Sequence, residues 1–176
     1  MLTIILVLLF LLVIYFYNRF VHKQNKVKQA KSGIDVYLTQ RFDLIPNLVT
    51  CVKAYTNYEE STLVEITKLR SRYLETKNVK DAEEINVHYH SLLATAEQYP
   101  ELKASDQFLL LQKNLSKIEN QLQAARRIYN SAVTSYNTSI HMFPLSLLAS
   151  LFHFEEEPLF EAEESVHHFS AIHFNS

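Results

Sequence analysis

Residues 108–143, FLLLQKNLSKIENQLQAARRIYNSAVTSYNTSIHMF, decide the fold. Phe108, Leu111, Leu115, Ile118, Leu122, Ala125, Tyr129, Ala132, Tyr136, Ile140 and Phe143 advance by three or four residues throughout. That spacing is a heptad seam, the pattern of a left-handed coiled coil or a helical bundle, in which one stripe of a helix faces its neighbours. Ser105 supplies an N-cap hydroxyl ahead of the seam and Pro144 stops it, so the spacing predicts a helix from Asp106 to about Met142, the longest of the bundle.

Helical periodicity extends upstream. Val27, Ala30, Ile34, Leu38, Phe42, Ile45, Leu48, Val52 and Tyr55 recur at steps of three and four. Pro46 lies inside this run and is expected to kink or break it, with Arg41 or Asn47 satisfying the groups that it frees. Asn57 with Glu60 reads as a capping box opening a helix to about Thr76. Asn78–Lys80 reads as a turn. Asp81 with Glu84 reads as a second cap, opening a helix to about Gln98 that ends at Tyr99–Pro100. Leu145–Leu151 and Phe160–Val166 are expected as short helices, followed by a tail of little regular structure. The chain of 176 residues holds one glycine, far below the usual share of about 7%. Rossmann crossovers, phosphate-cradling loops and many-stranded sheets all lean on glycine, and no repeat of solenoid length is present. The predicted fold is all-α: an antiparallel bundle of three to four long helices preceded by one N-terminal transmembrane helix.

That N-terminal helix is Leu2–Tyr17, LTIILVLLFLLVIYFY, which carries no charge. At 1.5 Å per residue it covers roughly 24 Å, a little short of a ~30 Å hydrocarbon core. Phe20 and Val21 lengthen it, and Arg19 can snorkel to the headgroups. Tyr15, Phe16 and Tyr17 make an interfacial aromatic belt. A cleaved signal peptide would need a basic start and small residues at its end, and neither is present. With no glycine or proline from Leu2 to Ser32, the membrane helix is expected to run straight into the first helix of the bundle. The expected divisions are an anchor over 1–21, a helical domain over 22–152 and a tail over 153–176. Residues 2–17 are expected to contact a lipid bilayer.

Net charge is −2, which argues against a nucleic-acid partner. The charge is placed unevenly. Arg19, Lys23, Lys26, Lys28 and Lys31 follow the span with no acid among residues 19–31. Such a flank stays in the cytoplasm, so the domain is expected inside the cell membrane and the N-terminus outside. Glu155, Glu156, Glu157, Glu161, Glu163 and Glu164 form an acidic stretch read as a solvated or tethering surface. Cys51 is the only cysteine, so no internal disulfide forms, and it is read as a small, partly buried core residue.

Few residues carry chemistry. Tyr129–Asn130 and Tyr136–Asn137 repeat at an interval of seven, with the tyrosines on the seam. They are read as setting bundle register, the alternative being a ligand pocket. Arg41–Asn47 concentrates polar groups around Pro46 and is read as structural, the alternative being a hinge or partner-binding element. His167, His168 and His173 invite a metal reading, but they lack a thiolate and the geometry that a tetrahedral site needs. His88 and His90 leave a helix on different faces. No catalytic, cofactor-binding or metal residues are assigned, no cofactor is expected, and the chain is read as a non-enzyme.

The chain resembles the LemA family of bacterial membrane proteins. The segments that carry the resemblance are YNRFV at 17–21, IDVYLTQRFDLIPNLV at 34–49, VKAY at 52–55, AEQYPELKAS at 96–105, ARRIYNSAV at 125–133, YNTSI at 136–140, FP at 143–144 and LFEAEESV at 159–166. It implies a single N-terminal span and an antiparallel helical bundle, and no shared enzymatic activity. The expected function is a membrane-tethered interaction or scaffolding module with a protein partner not yet identified, self-associating through the long seam as a homo-oligomer in a further reading. The alternative from another class is a metal- or small-ligand-binding sensor or an accessory subunit of a membrane enzyme.

Overall fold

Burial on one stripe of each helix organises the chain. The computed structural model describes residues 1–55 and 60–160. Seven helices follow one another among them: α1 (Leu2–Asp43), α2 (Ile45–Tyr55), α3 (Glu60–Thr76), α4 (Val79–Glu97), α5 (Pro100–Lys103), α6 (Asp106–His141) and α7 (Leu145–Leu151). The architecture is an antiparallel helical bundle behind one long apolar N-terminal helix. At 42 residues α1 exceeds the 36 of α6, so the apolar N-terminal helix does run on without a break past Ser32, and the seam helix is not the longest. Asn57 of the capping box, residues 161–166 of the expected last helix and the histidines at 167, 168 and 173 lie outside the described residues, while Phe160 is described and is not helical.

The contacts divide the chain into two compact units. One spans Asn25–Ile128. Its core gathers Phe42, Ile45 and Leu48 with Leu63, Ile66 and Tyr73 of α3, Ile85, Tyr89 and Leu92 of α4, and Phe108, Leu111 and Leu115 of α6. Phe42 and Tyr73 meet edge-to-face at 4.9 Å. Cys51 packs half-buried against this core, and burial raises its thiol pKa, which favours the inert thiol.

Local chemistry sets the breaks. Pro46 has no N–H, so the carbonyl of Phe42 loses its helical partner, and α1 stops at Asp43. Neither Arg41 nor Asn47 supplies a replacement, as the sequence had suggested. Arg70 of α3 does: its Nε donates to the Phe42 carbonyl at 3.0 Å and its Nη2 to Asp43 at 2.7 Å. At the next junction the cap is Asn78, whose Oδ1 accepts from the Lys80 N–H at 3.0 Å. Asp81 is not the cap. It is buried, and Arg72 holds it with an Nε contact of 2.7 Å, so its carboxylate serves an ion pair instead of the helix end. Ser105 caps α6 as expected, its Oγ accepting from the Phe108 N–H at 3.3 Å.

The other unit spans Met1–Gln24 and Tyr129 onward. Phe20, Val133, Tyr136 and Ala149 are its buried centre. Lys23 Nζ donates to the Ser135 carbonyl at 2.9 Å. The seam is buried through Ile140 except at Ile118 and Ala132, which are half-buried, but Phe143 lies beyond the helix end and is 81% exposed, against expectation. α7 closes with a Schellman pattern: Phe154 N–H donates to the Ala149 carbonyl at 3.0 Å and His153 N–H to the Ser150 carbonyl at 3.2 Å. His153 takes the left-handed conformation at φ 55°, the place glycine usually fills. The chain then turns back along α6 as an extended segment, with Phe154 ringed by Tyr17 and Phe20 at 5.8 and 5.2 Å.

Candidate functional site

The repeated Tyr–Asn pairs of α6 hold that segment. Asn137 Nδ2 donates to the Glu157 carbonyl at 2.8 Å, and Glu157 N–H donates back to Asn137 Oδ1 at 3.0 Å. Asn130 does the same for Phe160, at 2.9 and 2.8 Å. The hydroxyls of Tyr136 and Tyr129 donate to the carbonyls of Glu155 and Pro158, each at 2.9 Å. The register follows from two periods. Seven residues of α-helix rise about 10.5 Å. Three residues of extended chain rise about 10 Å. Each step of seven along α6 therefore meets a step of three along the tail, running antiparallel.

This clasp reads backbone, not side chains. An asparagine amide pairs with both the N–H and the C=O of one residue, whereas a tyrosine hydroxyl needs only a carbonyl. Pro158 has no N–H and stands at a tyrosine-read position, where none is required. Burial raises the phenol pKa of both tyrosines, and the carboxylates of Glu157, with Glu155 at Tyr136, add to it. Both phenols thus stay protonated donors well above neutrality. The side chains of Glu155 and Glu156 remain exposed, and Glu156 contacts His141. The pairs that sequence reasoning assigned to bundle register or a pocket instead dock the chain's own tail.

In the unit over Asn25–Ile128, Arg41 is buried, as Asp81 is. Its Nη1 donates to Glu119 Oε2 at 3.0 Å, and its guanidinium lies 5.5 Å from the ring centres of both Phe42 and Tyr89. Its Nε is buried with no hydrogen-bond partner among the described residues. Burial pushes the Glu119 carboxyl up, but hydrogen bonds from Gln123 and Arg41 with the nearby cationic charge outweigh it, and the group ends below its ordinary value. Tyr73 behaves oppositely: burial first, then the charge of Asp35, pushes its phenol to about 12. A cleft of about 470 Å³ opens beside Glu119, lined by Tyr89, Leu93, Gln112, Ser116 and Asn120 among others. The polar segment at 41–47 is thus split in function: Arg41 faces the core and Asp43 takes Arg70. Among the described residues no group of three or more His, Cys, Asp or Glu is placed to hold a metal ion. His88 is half-buried, and His90 is exposed beside the Tyr89 ring at 5.2 Å.

Taken together, these features define a class: an all-helical bundle on an apolar N-terminal helix, with an extended tail strapped to its last long helix. The chain matches the LemA family over residues 30–174 and belongs to it. It is 29% identical over 152 residues to Protein LemA of Metamycoplasma hominis, covering 84% of this chain and 69% of that protein. Magnetosome proteins MamQ 1 and MamQ 2 of Paramagnetospirillum magneticum are each 30% identical over 70 residues. Those matches cover 40% of this chain and 26% of each relative.

Proposed function

We propose that this chain is a membrane-anchored, non-enzymatic module that holds a helical bundle at the cytoplasmic face of the cell membrane for a protein partner. One observation carries the reading. Residues 1–12 are exposed without exception although nearly all are large and apolar, and the same helix continues without a break into the bundle. An uncovered apolar cylinder of that length needs a hydrocarbon surround. The basic residues Arg19, Lys23, Lys26, Lys28 and Lys31 favour the cytoplasmic side.

Cell fractionation tests the anchor: the full chain stays in the membrane through an alkaline carbonate wash, and a chain lacking 2–17 does not. A C-terminal reporter active on one side of the membrane tests orientation. Photo-crosslinkers at exposed Val87 and Ile128 test the partner, which must yield one discrete protein adduct; adducts with lipid alone overturn the interaction reading. A second reading, a small-ligand sensor, is favoured by the cleft beside Glu119. A small molecule that protects the purified protein against thermal unfolding, and loses that effect in Gln112→Ala, would support it.

A further inference from the structure

Between Met142 and Phe152 the chain reads MFPLSLLASLF, with no charged residue. Ala149 turns inward and is buried, while Met142, Phe143, Leu147 and Leu151 point outward, 55%, 81%, 66% and 67% exposed. Leu147 and Leu151 are one turn apart on α7 and form a stripe. Nothing among the described residues covers them, and an apolar patch of this kind marks a contact surface.

Its position names the occupant. The Phe152 ring sits against Tyr17 at 5.1 Å, and Tyr17 closes the apolar segment of α1. Lys23 reaches Ser135 six residues before the end of α6, so α6 ends near the level where α1 emerges from its apolar stretch. Val13 and Phe16 are the first half-buried residues of α1, after a run of exposed ones. The α7 patch is therefore continuous with the surface of the anchor at its aromatic belt. The ionisable groups that flank the patch, His141 before it and His153 with Glu155 and Glu156 after it, all lie outside the MFPLSLLASLF run.

We infer that α7 and the Phe143 turn are a second membrane contact, a short interfacial element whose Leu147, Leu151 and Phe143 side chains enter the headgroup–acyl boundary beside the anchor. This inference rests on the anchor reading above. Such elements sit about 5–10 Å into the boundary. Two contacts instead of one fix the rotation of α1 about its axis, and the clasped tail, which starts directly after α7, is then held at the membrane surface.

The test uses the full chain in phosphatidylcholine–phosphatidylglycerol vesicles, in a Cys51→Ser background, with a fluorescent label on one introduced cysteine at a time. The sites are Leu8 in the anchor, Leu147 and Leu151 in α7, and Ile128 as an exposed apolar control. Brominated acyl chains are expected to quench labels at 8, 147 and 151, and to leave that at 128 bright. Aqueous iodide should do the reverse. Quenching by bromolipid at 8 alone, with 147 and 151 open to iodide, overturns the inference and leaves the anchor standing. Protection of 147 and 151 from both quenchers assigns the patch to a second copy or another protein and also overturns it. Iodide access at position 8 as well would overturn the anchor reading and this inference together.

Discussion

Asn137 and Glu157 satisfy each other twice, the asparagine amide donating to the glutamate carbonyl at 2.8 Å and accepting from its N–H at 3.0 Å. Because Asn130 repeats the arrangement on Phe160, the tail is held at two points one heptad apart. Removing either amide releases a pair of backbone groups, each bond being worth about 1 kcal/mol net. Asn137→Ala is expected to speed amide exchange at Glu157 by about 30-fold, the equivalent of roughly 2 kcal/mol of local opening. Exchange in the α3–α4 core, at Ile66 or Ile85, should not change. Uniform acceleration across both regions would show that the asparagine supports global stability and is no local clasp.

How much of this was legible beforehand depends on the range of each interaction. Helix periods are local, and most of the seam from Phe108 to Ile140 was legible from spacing alone, though Val133 is buried where Ala132 was expected and Ile118 is half-buried. It overran at Phe143 because periodicity continued one step past the point where Pro144 ends the helix. The Tyr–Asn repeat stood out, but its destination did not. A clasp that reads backbone leaves no side-chain signature in the segment it holds, apart from the placing of Pro158 where no N–H is needed. Arg70 and Arg41 were similarly opaque, since their partners Phe42 and Glu119 lie 28 and 78 residues away. Asn78 and Asp81 are equally good caps by type, and only the tertiary partner Arg72 decides between them.

His153 occupies the left-handed position that closes α7 and turns the tail back, at φ 55°. A side chain there costs about 1 kcal/mol relative to glycine. The ring is exposed, so His153→Gly loses little packing. The variant is expected to make the turn more stable, seen as slower amide exchange at Phe154, which donates across it to Ala149. Faster exchange would mean that the imidazole itself holds the turn.

Arg41 and Glu119 define the acid limb of stability. The Glu119 carboxyl is depressed, so its contribution is fully present above its unfolded value, near 4.3, and fades as pH falls through the folded value below that. Urea denaturation between about pH 6 and pH 3 should show the loss. Arg41→Met keeps volume and removes the cation. It is expected to lower stability by about 1–2 kcal/mol at neutral pH, near the low end for charged hydrogen bonds, because Glu119 is 41% exposed and water screens it. The same variant should flatten the pH dependence in that window. An unchanged acid limb would assign it to other carboxylates.

Pro46 and Arg70 make the sharpest double-mutant test. Arg70 Nε donates to the Phe42 carbonyl, which has no helical partner because residue 46 lacks an N–H. Arg70→Met alone leaves that carbonyl and Asp43 unanswered, and is expected to cost about 1–3 kcal/mol. Pro46→Ala restores the N–H and lets α1 and α2 join across Leu44, so the Phe42 carbonyl acquires a backbone partner. In that background Arg70→Met should cost less, with a coupling of about 1 kcal/mol between the two sites in a denaturant cycle. Additive costs would mean that Arg70 acts through Asp43, at 2.7 Å, and that the carbonyl is satisfied without it.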